Sequence, residues 1–409
     1  MNSRLIPIII AICFLVEPIY FIFRGLIDPS IPRMADQPAI YSIILVISAF
    51  FPAYFVFFSR KIQRAPLRSL LLIIGIYAIF ILWSIFYGLN NKGVLDDFFI
   101  SGVMVIKGIS IGAFFLKNNQ VENALKNLSL ISILISIFYI AVLFQQATEG
   151  ILFPGIGGAT YQKASYMLVQ LIILNFMATY FFNLESNASP KFLIFFINVI
   201  LFLGVLYNGG RGAALLILLS ILLLTNAAIR KVIRNAFALR LEKFHFLVFL
   251  GAGVAFSTIG YFITPEIIAL LTRGSGRIFE AVTIFSSSNI DGDVVSGRDV
   301  VYQTAVNAIV SQPFFGYGPF WSARLIVPAH NIFLELLLQF GVLLGTIFIV
   351  GVVFLFIKGL QDKNLRIFYA ILAPAFTFLL FSGNYLLSFE FWIFITIAFS
   401  TINYKNNNA

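Results

Sequence analysis

Twelve apolar runs of about 20 residues govern what this chain can fold into; they fall at 5–23, 40–58, 70–87, 98–116, 127–147, 164–183, 192–208, 212–229, 246–264, 337–357, 367–384 and 388–403. Each is long enough to cross the roughly 30 Å of hydrocarbon in a bilayer. The expected fold is therefore an all-α integral membrane protein of about 12 transmembrane helices. Composition agrees: 60% of residues are hydrophobic and 11% charged, against roughly 45–50% and 25% in soluble domains. The 48 Phe and 16 Tyr add bulk that lipid tolerates. A short basic segment precedes the first run, but that run is longer than a signal h-region and lacks a small-residue cleavage site, so an uncleaved first span is expected. The lone Cys13 lies inside it, which rules out a disulfide framework and a cysteine metal site.

The formal net charge of +10 has a topological explanation. With residue 1 on the cytoplasmic side, 17 of the 27 Lys and Arg fall on inside segments, nine on outside segments and Lys107 within a span. This is the bias of the positive-inside rule; it needs no nucleic-acid partner and puts both termini inside. Loops are about 5 to 17 residues long apart from one, residues 265 to about 331, which faces outward and carries an Arg/Gly cluster, a polar turn, an amphipathic helix and a Gly/Pro/aromatic stretch. No internal repeat is evident, and the only low-complexity tract is the NYKNNNA tail.

Five of the outside cations, Arg211, Arg273, Arg277, Arg298 and Arg324, fall either in the NGGRGAALLILL turn or in the large loop, and all are arginines. A planar guanidinium binds two oxygens of a phosphate at once, where lysine offers a hydrated point charge. The set fits bidentate anion recognition; headgroup snorkelling, or loop salt bridges to Glu280, Asp291, Asp293 and Asp299, is the competing reading. In the Arg211 turn the glycines allow close backbone approach, and the start of the next span supplies exposed N–H groups and a positive dipole end. The segment SGRDVVYQTAVNAIVSQP reads as a helix with Ser296 as N-cap, Val300, Ala305 and Ile309 as its apolar positions, and Pro313 ending it. Arg298 stands at the unfavourable end of that helix dipole, so an anionic partner is expected, either Asp299 or a ligand.

Pro328 precedes AHNIFLELLLQFG, which puts His330 and Asn331 in the first turn of a helix at the outer face. His330 can accept and pass a proton near neutral pH, although a lone histidine is also a common structural residue, as His245 beside Lys243 is expected to be. Glu335, five residues on, either orients His330 or bonds within its helix. Tyr317, Phe320 and Trp321 could stack on sugar faces or form part of an interfacial aromatic belt. Lys107 and Glu17 lie within spans, where charge is expensive and either paired or functional; they would face a ligand pocket or each other. Asp96 and Asp97 are expected in a solvated outward loop.

RGAALLIL, SGRDVVYQTAVNAIVSQPFFGYGP and AHNIFLELLLQFGVLLG, taken together, resemble the shared region of the O-antigen ligase and O-antigen polymerase family. The resemblance covers about residues 205 to 350, with its three parts in family order. It implies a core at 205–358 holding a periplasmic catalytic loop at about 265–331, flanked by N-terminal transmembrane helices at 1–204 and C-terminal ones at 359–409. It further implies an inverting, metal-independent glycosyltransferase without cofactor, acting at the periplasmic face of the bacterial inner membrane on a glycan carried by undecaprenyl pyrophosphate. Arg211 and Arg298 match the family's pyrophosphate-binding arginines and His330 its proposed base, while Arg273 and Arg277 lie in a variable segment. Asn331, Glu335, Tyr317, Trp321 and Lys107 are the supporting candidates. Expected partners are the lipid-linked oligosaccharide, an acceptor glycan on lipid or on lipid A core, membrane lipids and a chain-length regulator protein.

Two other classes compete. A transporter or flippase would share the spans, but transporters tend to show paired broken helices with midplane charge, whereas here polar residues concentrate in one loop. A scaffold would not explain a histidine and several arginines gathered at one face. Within the enzyme class nothing ties the chain to lipopolysaccharide core binding, which tilts the reading towards polymerase over ligase.

Overall fold

The computed structural model describes residues 5–28, 39–58, 74–82, 92–116, 121–148, 156–181, 188–208, 298–319, 331–361, 363–381 and 384–406, together with a few single positions. Eleven α-helices and one 3-10 turn have defined bounds among the described residues, residues 74–82 are also helical, and there is no strand among the described residues. In chain order the helices are α1 Leu5–Phe14, α2 Val16–Ile27, α3 Ala39–Phe58, α4 Lys92–Phe115, α5 Val121–Thr148, α6 Tyr161–Phe181, α7 Ala188–Asn208, α8 Arg298–Ser311, α9 Ile332–Gln361, α10 Lys363–Phe381 and α11 Phe389–Asn406; the 3-10 turn is Tyr385–Leu387. Among the described residues four helices are long and apolar enough to cross a membrane, or five with α1 and α2 taken as one broken span. The chain is an all-helical membrane protein, and this number is compatible with the twelve expected runs.

The first span departs from expectation, because the run at 5–23 is split after Phe14. The cause lies four residues on. Pro18 has no N–H to donate, and its ring clashes with the carbonyl at i−4, which is Phe14; a new helix then starts at Val16 with Pro18 in its first turn. The acidic pair also differs. Asp96 and Asp97 lie in helix α4 and not in a loop, because the helix extends into the polar residues ahead of its apolar stretch.

The chain divides into two compact units interleaved in sequence. One comprises residues 1–16, 38–125 and 287–409. In it α4 packs along α11, and the approach is set by Gly108 and Gly112: a Cβ on Gly108 would stand 2.4 Å from the Phe389 carbonyl oxygen, and one on Gly112 2.9 Å from Thr396 Cβ. Small residues spaced by four let backbones approach in lipid, where apolar side chains gain nothing by leaving solvent. The opposite kind of surface appears on α9, where Leu343, Ile347, Val350 and Phe354 form an exposed apolar stripe at helical spacing, suited to lipid.

The other unit comprises residues 17–37 and 126–286. Its interior holds a polar ladder between α5, α6 and α7. Ser132 donates to Asn175 Oδ1, and Asn175 Nδ2 donates to Ser136 Oγ and Asn198 Oδ1, each at 3.0 Å. Such bonds hold transmembrane helices in register. Glu17, expected to face a pocket or Lys107, forms an ion pair with Lys163 at 3.0 Å. Close by, Gly157 at φ 53° lies so tightly on α2 that a Cβ would be 2.2 Å from the Phe21 carbonyl.

Candidate active site

The described parts of the motif-bearing segment, 298–319 and 331–341, fold into a clip. Helix α8 runs from Arg298 to Ser311 and stops at the Gln-Pro pair, as Pro313 requires. Ala305 and Ile309 are buried as expected, but Val300 is 64% exposed, because the helix packs through a narrow seam of Ala305 and Ile309 against Leu338 and Ala329. Val306, Val310, Phe314 and Phe315 make an exposed apolar edge next to that seam.

The PFFGYGP loop then turns back on helix α9. That helix carries the apolar run expected at 337–357, but it contains a break at Gly341, whose φ of 73° and ψ of 178° fall in a region essentially closed to other residues. The break frees backbone groups that the loop satisfies. Tyr317 N–H donates to the Leu338 carbonyl at 2.7 Å, Gly318 N–H to that of Gln339 at 2.9 Å, and Val342 N–H to that of Pro313 at 2.6 Å. An unsatisfied peptide group in hydrocarbon costs several kcal/mol, so loop and break depend on each other. The fit also demands glycine on both sides: a Cβ on Gly316, at φ 62°, would be 2.5 Å from Gly341 N, and one on Gly341 2.5 Å from the Phe314 carbonyl. Tyr317 packs against the seam, and its hydroxyl hydrogen-bonds Ser311 Oγ at 2.8 Å.

Helix α9 begins at Ile332, two residues past His330, so Asn331 is not in its first turn as expected but precedes it. Asn331 is its N-cap. The side-chain Oδ1 accepts from Phe333 N–H at 2.9 Å and Leu334 N–H at 3.3 Å, and the Asn331 carbonyl accepts from Glu335 N–H at 2.9 Å, satisfying donors that a helix start leaves open. On the buried side of this half-helix stand Glu335 at 4% and Gln339 at 1% exposure. Gln339 Oε1 accepts a hydrogen bond from Tyr385, itself 1% exposed, on the 3-10 turn.

Of the other residues singled out in the sequence, Lys107 is fully buried in α4, its ammonium 3.8 Å from the centre of the Phe389 ring. Arg298 opens α8. Arg211, Arg273, Arg277, Trp321 and His330 lie outside the described residues. The ends of the Arg211 turn are nonetheless anchored: Asn208 and Ala213 are 2% and 0% exposed, and Asn208 Nδ2 donates to the Gly204 carbonyl at 2.9 Å. No group of three or more His, Cys, Asp or Glu able to hold a metal occurs among the described residues. Sequence reasoning missed the loop-to-helix docking and the close α4–α11 pair; the Gly108-x-x-x-Gly112 spacing was a readable signal for the second.

The clip, the half-helix and the Arg211 turn all fall within one further observation: residues 196–349 match the family model described as O-antigen ligase. That segment belongs to the O-antigen ligase and polymerase family. No curated protein and no solved structure matches the chain. The family region takes in the second half of α7, all of α8 and α9 past its break. It therefore includes every arginine assigned to the anion site as well as His330. The match over this segment supports an O-antigen ligase-like, glycosyltransferase-like activity.

Proposed function

We propose that the chain is an inverting glycosyltransferase of the bacterial inner membrane. It takes a glycan on undecaprenyl pyrophosphate as donor and extends surface polysaccharide at the periplasmic face, with both termini cytoplasmic. The observation that carries this reading is the family match, which spans the arginine turn, the Gly-Arg helix and the His-Asn motif in one segment.

A diphosphate is a good leaving group, so the protein's main task is to hold its charge while the glycosidic bond breaks. Arg211 and Arg298, with Arg273 and Arg277, supply donors fixed before the reaction in a poorly hydrated site, where they stabilise developing charge best. His330 takes the proton of the acceptor hydroxyl. The acceptor oxygen bonds the anomeric carbon from the opposite side, and the bond from that carbon to the phosphate oxygen breaks, its electron pair leaving with the lipid diphosphate. No step calls for a metal or cofactor. His330 directly precedes Asn331 in sequence, and Asn331 caps helix α9 by accepting from two backbone N–H groups. Trp321 and Tyr317 offer ring faces for sugar, and Lys107 supports the site from α4.

Polymerisation, with a second lipid-linked oligosaccharide as acceptor, is the first reading, and a chain-length regulator protein is the expected companion. The description of the matched family favours a second, ligation to lipid A core. Deleting the gene and running surface polysaccharide on a gel separates them. Loss of long chains with one capped repeat retained identifies a polymerase; free polymer with bare core identifies a ligase. An unaltered ladder would overturn both.

A further inference from the structure

The outer surface of the clip has two kinds of edge. On α8, Gln303, Asn307 and Ser311 are exposed and share one side of the helix at a spacing of four. Beside them Val306 and Val310 are exposed as well, and Phe314 and Phe315 prolong that apolar edge past the helix end. Val310, Phe314 and Phe315 are 71%, 74% and 66% exposed, and no charged residue occurs from Val300 to Pro319. A contiguous apolar patch with a polar border marks an interaction surface.

Continuity and height together say what covers it. Val342 N–H donates to the Pro313 carbonyl, so Phe314 follows directly on the point where the loop meets α9, and there Val342 and Leu343 open the exposed stripe that runs on through Ile347, Val350 and Phe354. The edge is thus one end of a surface that a membrane-crossing helix presents to acyl chains. The apolar span Ile332–Lys358 is 27 residues long, or about 40 Å at 1.5 Å per residue, more than the roughly 30 Å of hydrocarbon. Counted back from Lys358, whose ammonium belongs at the opposite interface, that thickness ends at about Leu338. The loop is hydrogen-bonded to α9 at Leu338, Gln339 and Val342, which is the hydrocarbon boundary. We propose that α8 and the PFFG turn form an interfacial seat, with Val306, Val310, Phe314 and Phe315 in the acyl chains of the phospholipid leaflet and Gln303, Asn307 and Ser311 towards headgroups and water. Surface helices lie on bilayers in this way, their apolar side about 5–10 Å into the boundary. The turn's backbone tolerates such depth because Tyr317 and Gly318 N–H are bonded to α9. The seat holds the clip at a height where a lipid-linked substrate meets it without leaving the bilayer, and it is independent of which reaction the family region performs.

The test uses the full-length protein with single substitutions Gln303→Cys, Asn307→Cys, Val310→Cys, Phe314→Cys and Phe315→Cys, each carrying a nitroxide spin label and reconstituted in phosphatidylcholine vesicles free of polyprenyl lipid. Wild type, whose sole cysteine Cys13 is buried, is the blank. All five positions are exposed, and having several on each edge keeps the result readable if one variant fails to fold. Relaxation by oxygen, which concentrates among acyl chains, is compared with relaxation by a water-soluble nickel chelate. Oxygen should dominate at 310, 314 and 315, and the order should reverse at 303 and 307. Nickel dominance at 310, 314 and 315 would put the edge in water and overturn the seat. Labels there that neither reagent reaches would show another part of the chain covering the edge, which also overturns it. Oxygen dominance that appears only after a polyprenyl diphosphate is added would overturn it in favour of the donor's tail as occupant.

Discussion

Gly341 shows how much of the site rests on single backbone positions. Its φ and ψ of 73° and 178° lie where any side chain costs about 1–3 kcal/mol in strain, and the Phe314 carbonyl leaves no room for a Cβ. Gly341→Ala should therefore lower the melting temperature of the purified protein and make the 312–319 loop more sensitive to protease, whereas Gly351→Ala, where a Cβ meets nothing within 4 Å, should do neither. Asn331 carries a second constraint. Asn331→Ala removes the cap and should cost about 1 kcal/mol, while Asn331→Ser should keep most of it, both read by thermal unfolding in detergent. For His330, replacement by Ala should cut transfer by roughly 10²–10⁴ and leave residual activity, because diphosphate binding by the arginines persists. His330 and Arg211 stand out in the sequence because a titratable or cationic residue beside a long apolar run is chemically conspicuous, and both lie outside the described residues. Glu335 was only half legible: its spacing from His330 was visible, but its burial was not.

At the scale of elements, the helices followed the apolar runs closely. Tyr161–Phe181 and Ala188–Asn208 lie within a few residues of the expected 164–183 and 192–208, since run length is what a bilayer selects. The breaks were not legible. LLLQFGVLLG reads as uninterrupted apolar sequence, and the break at Gly341 exists because a loop more than 20 residues earlier supplies its hydrogen bonds, a pairing no local pattern announces. Gly108 makes the same point in contact form. Gly108→Leu should dissociate α4 from α11, seen as loss of folded protein in detergent, because the Phe389 carbonyl and Trp392 Cβ occupy the space. In the polar ladder, Asn175→Ala strands Ser132, Ser136 and Asn198 together. A double-mutant cycle with Ser136→Ala should return a coupling of about 0.6 kcal/mol and no more than about 1.7.

For the whole molecule, charge bias and hydropathy carry the topology, and the fold offers a clean way to check it. Cys13 is the sole cysteine and is buried at 6% exposure, so an impermeant thiol reagent should leave the wild-type protein unlabelled. Cysteines placed singly at Ser287 and Ser322 should label in intact spheroplasts, and one at Ala236 only after lysis; the reverse pattern would invert the chain and remove the periplasmic site. The family region occupies 196–349, and within it α9 packs against α10 and α11, which lie outside that region. The central claim is that guanidinium groups hold a lipid diphosphate while the sugar moves. Its most direct test is the turnover of purified Arg211→Ala and Arg298→Ala on a lipid-linked oligosaccharide, at matched folded protein. Turnover should fall to near background in both; wild-type turnover in either would contradict the account.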